Sequence, residues 1–222
     1  EHSSNVGMAF IAQKLGRSLF YSYLKAFGFT ERADFGIQDE ALGTLAPPDT
    51  WADSELVTKA FGQGISVTPI QMIQAFSAIT NGGVMMQPYI IKKIEYSNGA
   101  EEDFEPTIVR QVITEETAQK LVAMMVSTAV NGYGFLALDN HYFAGKSGTA
   151  QTYKYGKALS GRGTTIGSFV GFGPIDDPKF LVLIKLDHAR ANEFGANTSG
   201  HIFHDIAAYL YDYYNVPPDK KS

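Results

Sequence analysis

The stretch Phe143–Tyr153, "FAGKSGTAQTY", supports two incompatible readings, and the choice between them decides the fold. Gly145-Lys146-Ser147 ends like a phosphate-binding loop, which requires a helix to follow, because the helix N-terminus supplies the backbone donors that hold the phosphate. Lys146-Ser147-Gly148 equally fits K-[ST]-G on an extended strand whose open edge lines a cleft. The phosphate-loop pattern G-x-x-x-x-G-K-[ST] needs glycine at position 140, where the chain has Asn140. After Ser147 the residues through Tyr153 are largely β-prone and lead into a glycine-rich loop. The strand reading stands.

Working outward, strand-like segments fall at 144–152, 165–172 and 179–187. The last two are separated by the turn residues Pro174-Ile175-Asp176-Asp177-Pro178. Short links between successive strands favour an antiparallel sheet. A closing helix over 199–214 offers Ile202, Phe203, Ile206, Leu210 and Tyr213 to cover one face. Upstream, Val6, Phe10, Ile11 and Leu15 recur at helical spacing up to Gly16, and a second helix runs from Leu19 to Phe27 with Gly28 as its stop. Residues 29–58 read as an irregular connection. Thr68-Pro69 is an N-cap followed by proline at the first helical position. The helix it starts has Ile70, Met72, Ile73, Phe76 and Ile79 on one side and Gly82-Gly83 at its end. A strand is expected over 89–96, a turn at Ser97-Asn98-Gly99 and a helix from Thr114 to about Val130.

The expected fold class is α/β (α+β), an antiparallel sheet covered by helices plus a helical lobe. Residues 1–142 are mostly lobe and connections, 143–216 the strands and closing helix, and 217–222 a frayed tail. With 222 residues, 45% of them hydrophobic, the chain can bury one sizeable core, and no linker divides it. Eighteen basic against 23 acidic residues give a net charge of −5 with no basic stripe, which sets nucleic acid aside as a partner. The absence of cysteine removes disulfides and thiolate metal sites. The longest apolar runs, such as Phe180–Ile184, are far short of the roughly 20 residues a spanning helix needs. The chain opens with Glu1 and lacks a signal-peptide pattern, so it reads as a piece of something longer.

Two triplets carry chemistry. Ser3-Ser4-Asn5 matches S-x-N and Lys146-Ser147-Gly148 matches K-[ST]-G, in the chain order found in serine penicillin-recognising enzymes. Each alone is weak: Ser3 and Asn5 would serve as helix-capping residues, and Lys146 as a solvated strand charge. Their company decides the matter. "SSNVGM" (Ser3–Met8), "FGQGISVTPIQMIQAFSAITNGG" (Phe61–Gly83) and "GKSGTAQ" (Gly145–Gln151) together closely resemble class B penicillin-binding proteins, the peptidoglycan D,D-transpeptidases.

That resemblance implies a five-stranded sheet, three of whose strands belong to this chain. It implies serine acyl transfer from a D-Ala-D-Ala stem peptide, with β-lactams as alternative acylating ligands and no cofactor. Ser3 would relay protons, Asn5 would orient the substrate amide, and Lys146 would add positive potential. The Thr149 backbone N–H would be an oxyanion donor. The hydroxyls of Ser147 and Thr149 would bind the substrate carboxylate, Gly148 would let the substrate backbone approach, and Gln151 would line the far end of the cleft. The nucleophilic serine and its lysine, S-x-x-K, belong upstream of S-x-N and are therefore expected outside this chain. The resemblance further implies an N-terminal half of the same domain as a partner and a SEDS-family cell-wall polymerase as a possible one. It also implies a place on the outer face of the bacterial cytoplasmic membrane.

Ser22-Tyr23-Leu24-Lys25 does spell S-x-x-K, but about one such match is expected by chance in a chain of this length, and both residues fall opposite the apolar arc of their helix. His201, His204, Asp205 and His188 suggest metal ligands less well than the polar start of an amphipathic helix. Asp187 and His188 have no G-x-S-x-G serine to complete a triad. A non-catalytic penicillin sensor or scaffold and a β-lactamase stay open on the same fold, although no E-x-x-L-N deacylation motif stands between the two triplets.

Overall fold

Gly16, at φ 81°, separates two helices at the start of the chain, because glycine accepts a left-handed backbone at no steric cost. The computed structural model describes residues 2–220, in which α1 (Asn5–Leu15) and α2 (Arg17–Ala26) flank this break. The segment read as irregular holds a third helix, α3 (Asp53–Ala60). Its start is fixed by Glu55, whose carboxylate accepts the Ala52 N–H at 2.8 Å and pairs with Lys59 one turn on, also at 2.8 Å. Lys59 is buried, its ammonium lying 5.0 Å from the centre of the Trp51 ring. Trp51, Leu56, Ala60 and Ala12 form a small core, with Phe20, Tyr21 and Leu24 packed around it.

The apolar stripe of α1 does not face that core. Ala12 does, while Val6, Phe10 and Ile11 are 81%, 60% and 56% exposed. A comparable shift occurs on α4 (Pro69–Thr80), where the buried side is Gln71, Gln74, Ala75 and Ala78 and the predicted apolar residues are only half-buried. Hydrogen bonding explains it. Thr68 caps the helix through the Gln71 N–H, and the Gln71 side chain returns a bond to the Thr68 N–H while donating to the Glu31 and Gly28 carbonyls. Gln74 donates to the Met86 carbonyl at 3.0 Å. Fully bonded amides can be buried where apolar residues would be expected.

After α4 come β1 (Val84–Met86), a hairpin of β2 (Lys93–Glu95) and β3 (Glu101–Asp103) around the predicted turn, and β4 (Ile108–Gln111), which returns antiparallel to β1. The strand expected over 89–96 shrinks to three residues because its partner across the turn is equally short. α5 (Glu115–Gly132) follows, with Glu115 and Glu116 in its positive first turn. Residues 5–118 form one compact unit. Among the described residues, 2–4 and 119–220 form the other.

In the second unit β5 (Ala144–Gln151), β8 (Thr165–Gly173) and β9 (Phe180–Asp187) make an antiparallel sheet in the order β5-β8-β9. These match the expected strands to within a residue. Between the first two, a small hairpin of β6 (Tyr153–Lys154) and β7 (Lys157–Ala158) stands where a loop was expected. The closing helix α6 (Ser199–Tyr213) packs through Phe203, Ala207 and Tyr211, whereas Ile202 and Tyr213 face solvent. The sheet supplies the matching surface. A β-carbon on Gly171 would lie 2.4 Å from the Phe203 ring, and one on Gly173 would lie 2.0 Å from the Tyr211 hydroxyl. Gly171 and Gly173, alternate positions of β8, are thus bare backbone, which leaves room for the rings of α6 beside buried Phe169.

The tail is not frayed up to Lys220. The N–H groups of Asp219 and Lys220 donate to the Asn140 carbonyl at 3.1 and 3.2 Å, and the Asp219 carboxylate accepts the Tyr142 N–H at 2.8 Å. The expectation for residues 221 and 222 lies outside the described residues.

Candidate active site

Lys146 and Ser147 lie in mid-strand, with strand rather than helix on both sides, so the phosphate-loop reading lacks the helix N-terminus it requires. Among the described residues β5 is an edge strand, paired with β8 on one side only. On its other edge the Ser147 N–H donates to the Tyr133 hydroxyl at 3.0 Å, and the Ser147 carbonyl accepts from the Lys146 ammonium at 2.9 Å. In an antiparallel strand the backbone groups of alternate residues point the same way, so the N–H and C=O of Thr149 and Gln151 project from this open edge as well. That row of donors and acceptors is a template for an added extended peptide.

Lys146 has three N–H donors and three acceptors in reach: Ser3 Oγ at 2.9 Å, the Ser147 carbonyl at 2.9 Å and the Tyr133 hydroxyl at 3.4 Å. The two triplets legible in the sequence therefore meet, Ser3 against Lys146. Ser3 holds φ 48°, a left-handed conformation that costs a residue with a β-carbon about 1–2 kcal/mol. Asn5, the third residue of S-x-N, is the first residue of α1, in the other compact unit.

Thr149 is exposed on β5, and its Oγ1 accepts the Gly195 N–H at 3.0 Å. A backbone N–H can only donate, so the Thr149 hydroxyl keeps its own proton for a further acceptor. Gly148 has a packing reason beyond open approach for a substrate: a β-carbon there would stand 2.6 Å from Ser168 Oγ, its direct neighbour on β8. Gly195 is tighter still, since a β-carbon would lie 2.2 Å from the Gly148 carbonyl oxygen. Gln151 ends β5 and is exposed, paired with Thr165 at the far end of the edge.

Tyr133 and Gly195 are the residues at this site that reading the sequence missed. Tyr133 follows directly on α5 and is nearly buried, its ring edge-on to Phe169 at 5.3 Å. The only signal was a large aromatic between the glycines Gly132 and Gly134 just before the K-[ST]-G strand. The weaker candidates are otherwise engaged. Ser22 donates to the Leu19 carbonyl, and both it and Lys25 are exposed. His204 Nδ1 lies 3.1 Å from the Leu136 carbonyl oxygen, and Asp187 pairs with Lys185 at 2.5 Å while His188 Nδ1 is 3.1 Å from the Gly163 carbonyl oxygen.

An edge strand bearing a lysine and two hydroxyls, with a serine from a distant motif on that lysine, is a class of site that can pair with an extended chain along its backbone and hold an anion beside the ammonium. Comparison with known proteins gives this class a family. The profile of the penicillin binding protein transpeptidase domain matches residues 1–208. The stage V sporulation protein D of Bacillus subtilis is 35% identical over 210 residues, covering 93% of this chain and 32% of that protein. The penicillin-binding protein PbpB of Mycolicibacterium smegmatis is 32% identical over 97% of this chain and 35% of its own length. Among solved structures, penicillin-binding protein 3 of Mycobacterium tuberculosis in complex with aztreonam superposes with a TM-score of 0.88 at 30% identity, over 99% of this chain and 51% of that one. The chain belongs to the penicillin-binding protein transpeptidase family. It spans about a third of the length of these curated relatives.

Proposed function

We propose that these 222 residues are the C-terminal portion of a single transpeptidase domain. The parent protein cross-links peptidoglycan stem peptides by serine acyl transfer and is acylated by β-lactams. The observation that carries this is the bond between Ser3 and Lys146 beside an open strand edge. In this reading a D-alanyl peptide adds as a strand along β5. Its terminal carboxylate is held by the hydroxyl protons of Ser147 and Thr149 under the positive potential of Lys146. The Thr149 N–H, already on the open edge, polarises the scissile carbonyl, and Gln151 meets the chain at the far end. Gly148 keeps the strand flat between the two anchoring hydroxyls. Ser3, poised on Lys146, passes protons between the catalytic groups, and Asn5 orients the substrate amide.

The attacking serine and its lysine partner are supplied from sequence upstream of Glu1. The exposed Val6, Phe10 and Ile11 fit that proposal, because an apolar stripe in water marks a surface that another segment covers. The aztreonam complex of the M. tuberculosis relative supports β-lactam binding by the parent of this chain. The penicillin-binding relatives support a place outside the cytoplasm for the parent protein, and the family resemblance alone adds anchoring to the bacterial membrane and a SEDS-family polymerase as partner to the proposal.

The test is covalent labelling with a fluorescent penicillin. The isolated 222-residue chain is expected to stay unlabelled, and a protein extended upstream through S-x-x-K is expected to take the label on the upstream serine. Label on the isolated chain, or none on the extended protein, refutes the proposal.

A further inference from the structure

We propose that Tyr133 is a positioning residue of this site, setting the direction in which the Ser147 hydroxyl offers its proton. The proposal rests on the transpeptidase reading above and follows from counting donors and acceptors. The Tyr133 hydroxyl has one proton and two lone pairs. The Ser147 N–H, at 3.0 Å, can only donate to it. The Lys146 ammonium, at 3.4 Å, can likewise only donate. Both lone pairs are then taken. The remaining contact, 2.8 Å to Ser147 Oγ, must be made by Tyr133's own proton.

Ser147 Oγ therefore accepts, and its own proton is left for an acceptor other than Tyr133. Thr149 reaches the same state by accepting from Gly195. Two hydroxyls two residues apart, on one face of β5, each keep a proton to donate, which matches the two oxygens of a carboxylate. Without the phenol, Ser147 Oγ loses its fixed donor, and its proton is free to turn to protein acceptors nearby. The ring of Tyr133 is locked by its edge contact with Phe169, so the hydroxyl is held in place rather than free to sweep. Its bond to the Ser147 N–H also closes the strand edge at that residue, leaving Thr149 and Gln151 as the points where a docked peptide can pair.

The experiment uses the full protein, carrying the sequence upstream of this chain, and compares wild type, Tyr133→Phe, Ser147→Ala and the double variant. The acylation rate with a fluorescent penicillin and the melting temperature are measured for each. Tyr133→Phe keeps the ring and its packing, and is expected to slow acylation about tenfold while lowering the melting temperature by only a few degrees. Because the tyrosine works through Ser147, the double variant is expected to be no slower than Ser147→Ala alone. Acylation of Tyr133→Phe at the wild-type rate overturns the proposal, as do losses that multiply in the double variant. A wild-type protein that takes no label sinks the transpeptidase reading and this proposal together, whereas a labelled wild type with an indifferent Tyr133→Phe sinks this one alone.

Discussion

The Lys146 ammonium donates to Ser3 Oγ across 2.9 Å, although the two residues stand 143 positions apart in the chain. In the proposed mechanism this pair passes protons, so interrupting it at either end should have the same consequence. In the full protein, Ser3→Ala and Lys146→Ala are each expected to lower the acylation rate by a fluorescent penicillin about 10²- to 10⁴-fold. Since the pair acts as a unit, the double variant should be no slower than the slower single one. Rates that multiply would show two independent roles.

Gly195 is pressed between two strands. A β-carbon there would meet the Gly148 carbonyl at 2.2 Å and the backbone oxygen and nitrogen of Ser168 at 2.6 and 2.7 Å. Backbone cannot swing aside as a side chain can, so Gly195→Ala should push the loop off β5 and break the Gly195 N–H bond to Thr149. The expected cost is about 1–3 kcal/mol, seen as a lower urea midpoint, with slower penicillin acylation alongside. A variant with unchanged midpoint would mean that the loop does not bear on the strand.

Tyr211, on the buried side of α6, is stacked on His141 at 4.1 Å and donates to the Tyr142 carbonyl at 2.5 Å. Burial, and after it the negative charge of Asp219, push its phenol well above the ordinary value. For an acid whose folded value is raised, the stabilisation is complete below the unfolded value, about 10, and declines as pH rises beyond it. Tyr211→Phe should cost about 1 kcal/mol at pH 8 through the lost hydrogen bond. The variant should then lose less stability than wild type between pH 8 and pH 11. Urea midpoints at the two pH values check this, and an equal loss in both proteins contradicts it.

In the other unit, the fully buried Gln71 bonds to the Thr68 N–H and to the Glu31 and Gly28 carbonyls. Gln71→Leu keeps similar bulk and leaves these backbone groups without their partner. Roughly 2–4 kcal/mol of destabilisation is expected in urea melts, against much less for exposed Gln38→Leu. Similar melts for the two variants would show that water replaces the amide.

The three strands, the closing helix and the Thr68-capped helix were legible in the sequence because each is written in local terms, as period-two or helical spacing between turn residues. So were the candidates Ser3, Lys146, Ser147 and Thr149, named from two short motifs in their order, of which the fold brings Ser3 onto Lys146. What a helix buries was not legible. Phe10 and Gln71 are sorted by what other segments offer them, an apolar neighbour or a set of free carbonyls, and spacing along the chain carries no record of that. The helix Asp53–Ala60 was missed for a related reason: it is short and held by a buried lysine lying against a tryptophan, a tertiary contact. At the site, residue types alone said that hydroxyls and an ammonium were present. Only the folded chain, by setting Tyr133 and Gly195 against β5, decided which way their protons point, because a hydroxyl is donor or acceptor according to its neighbours.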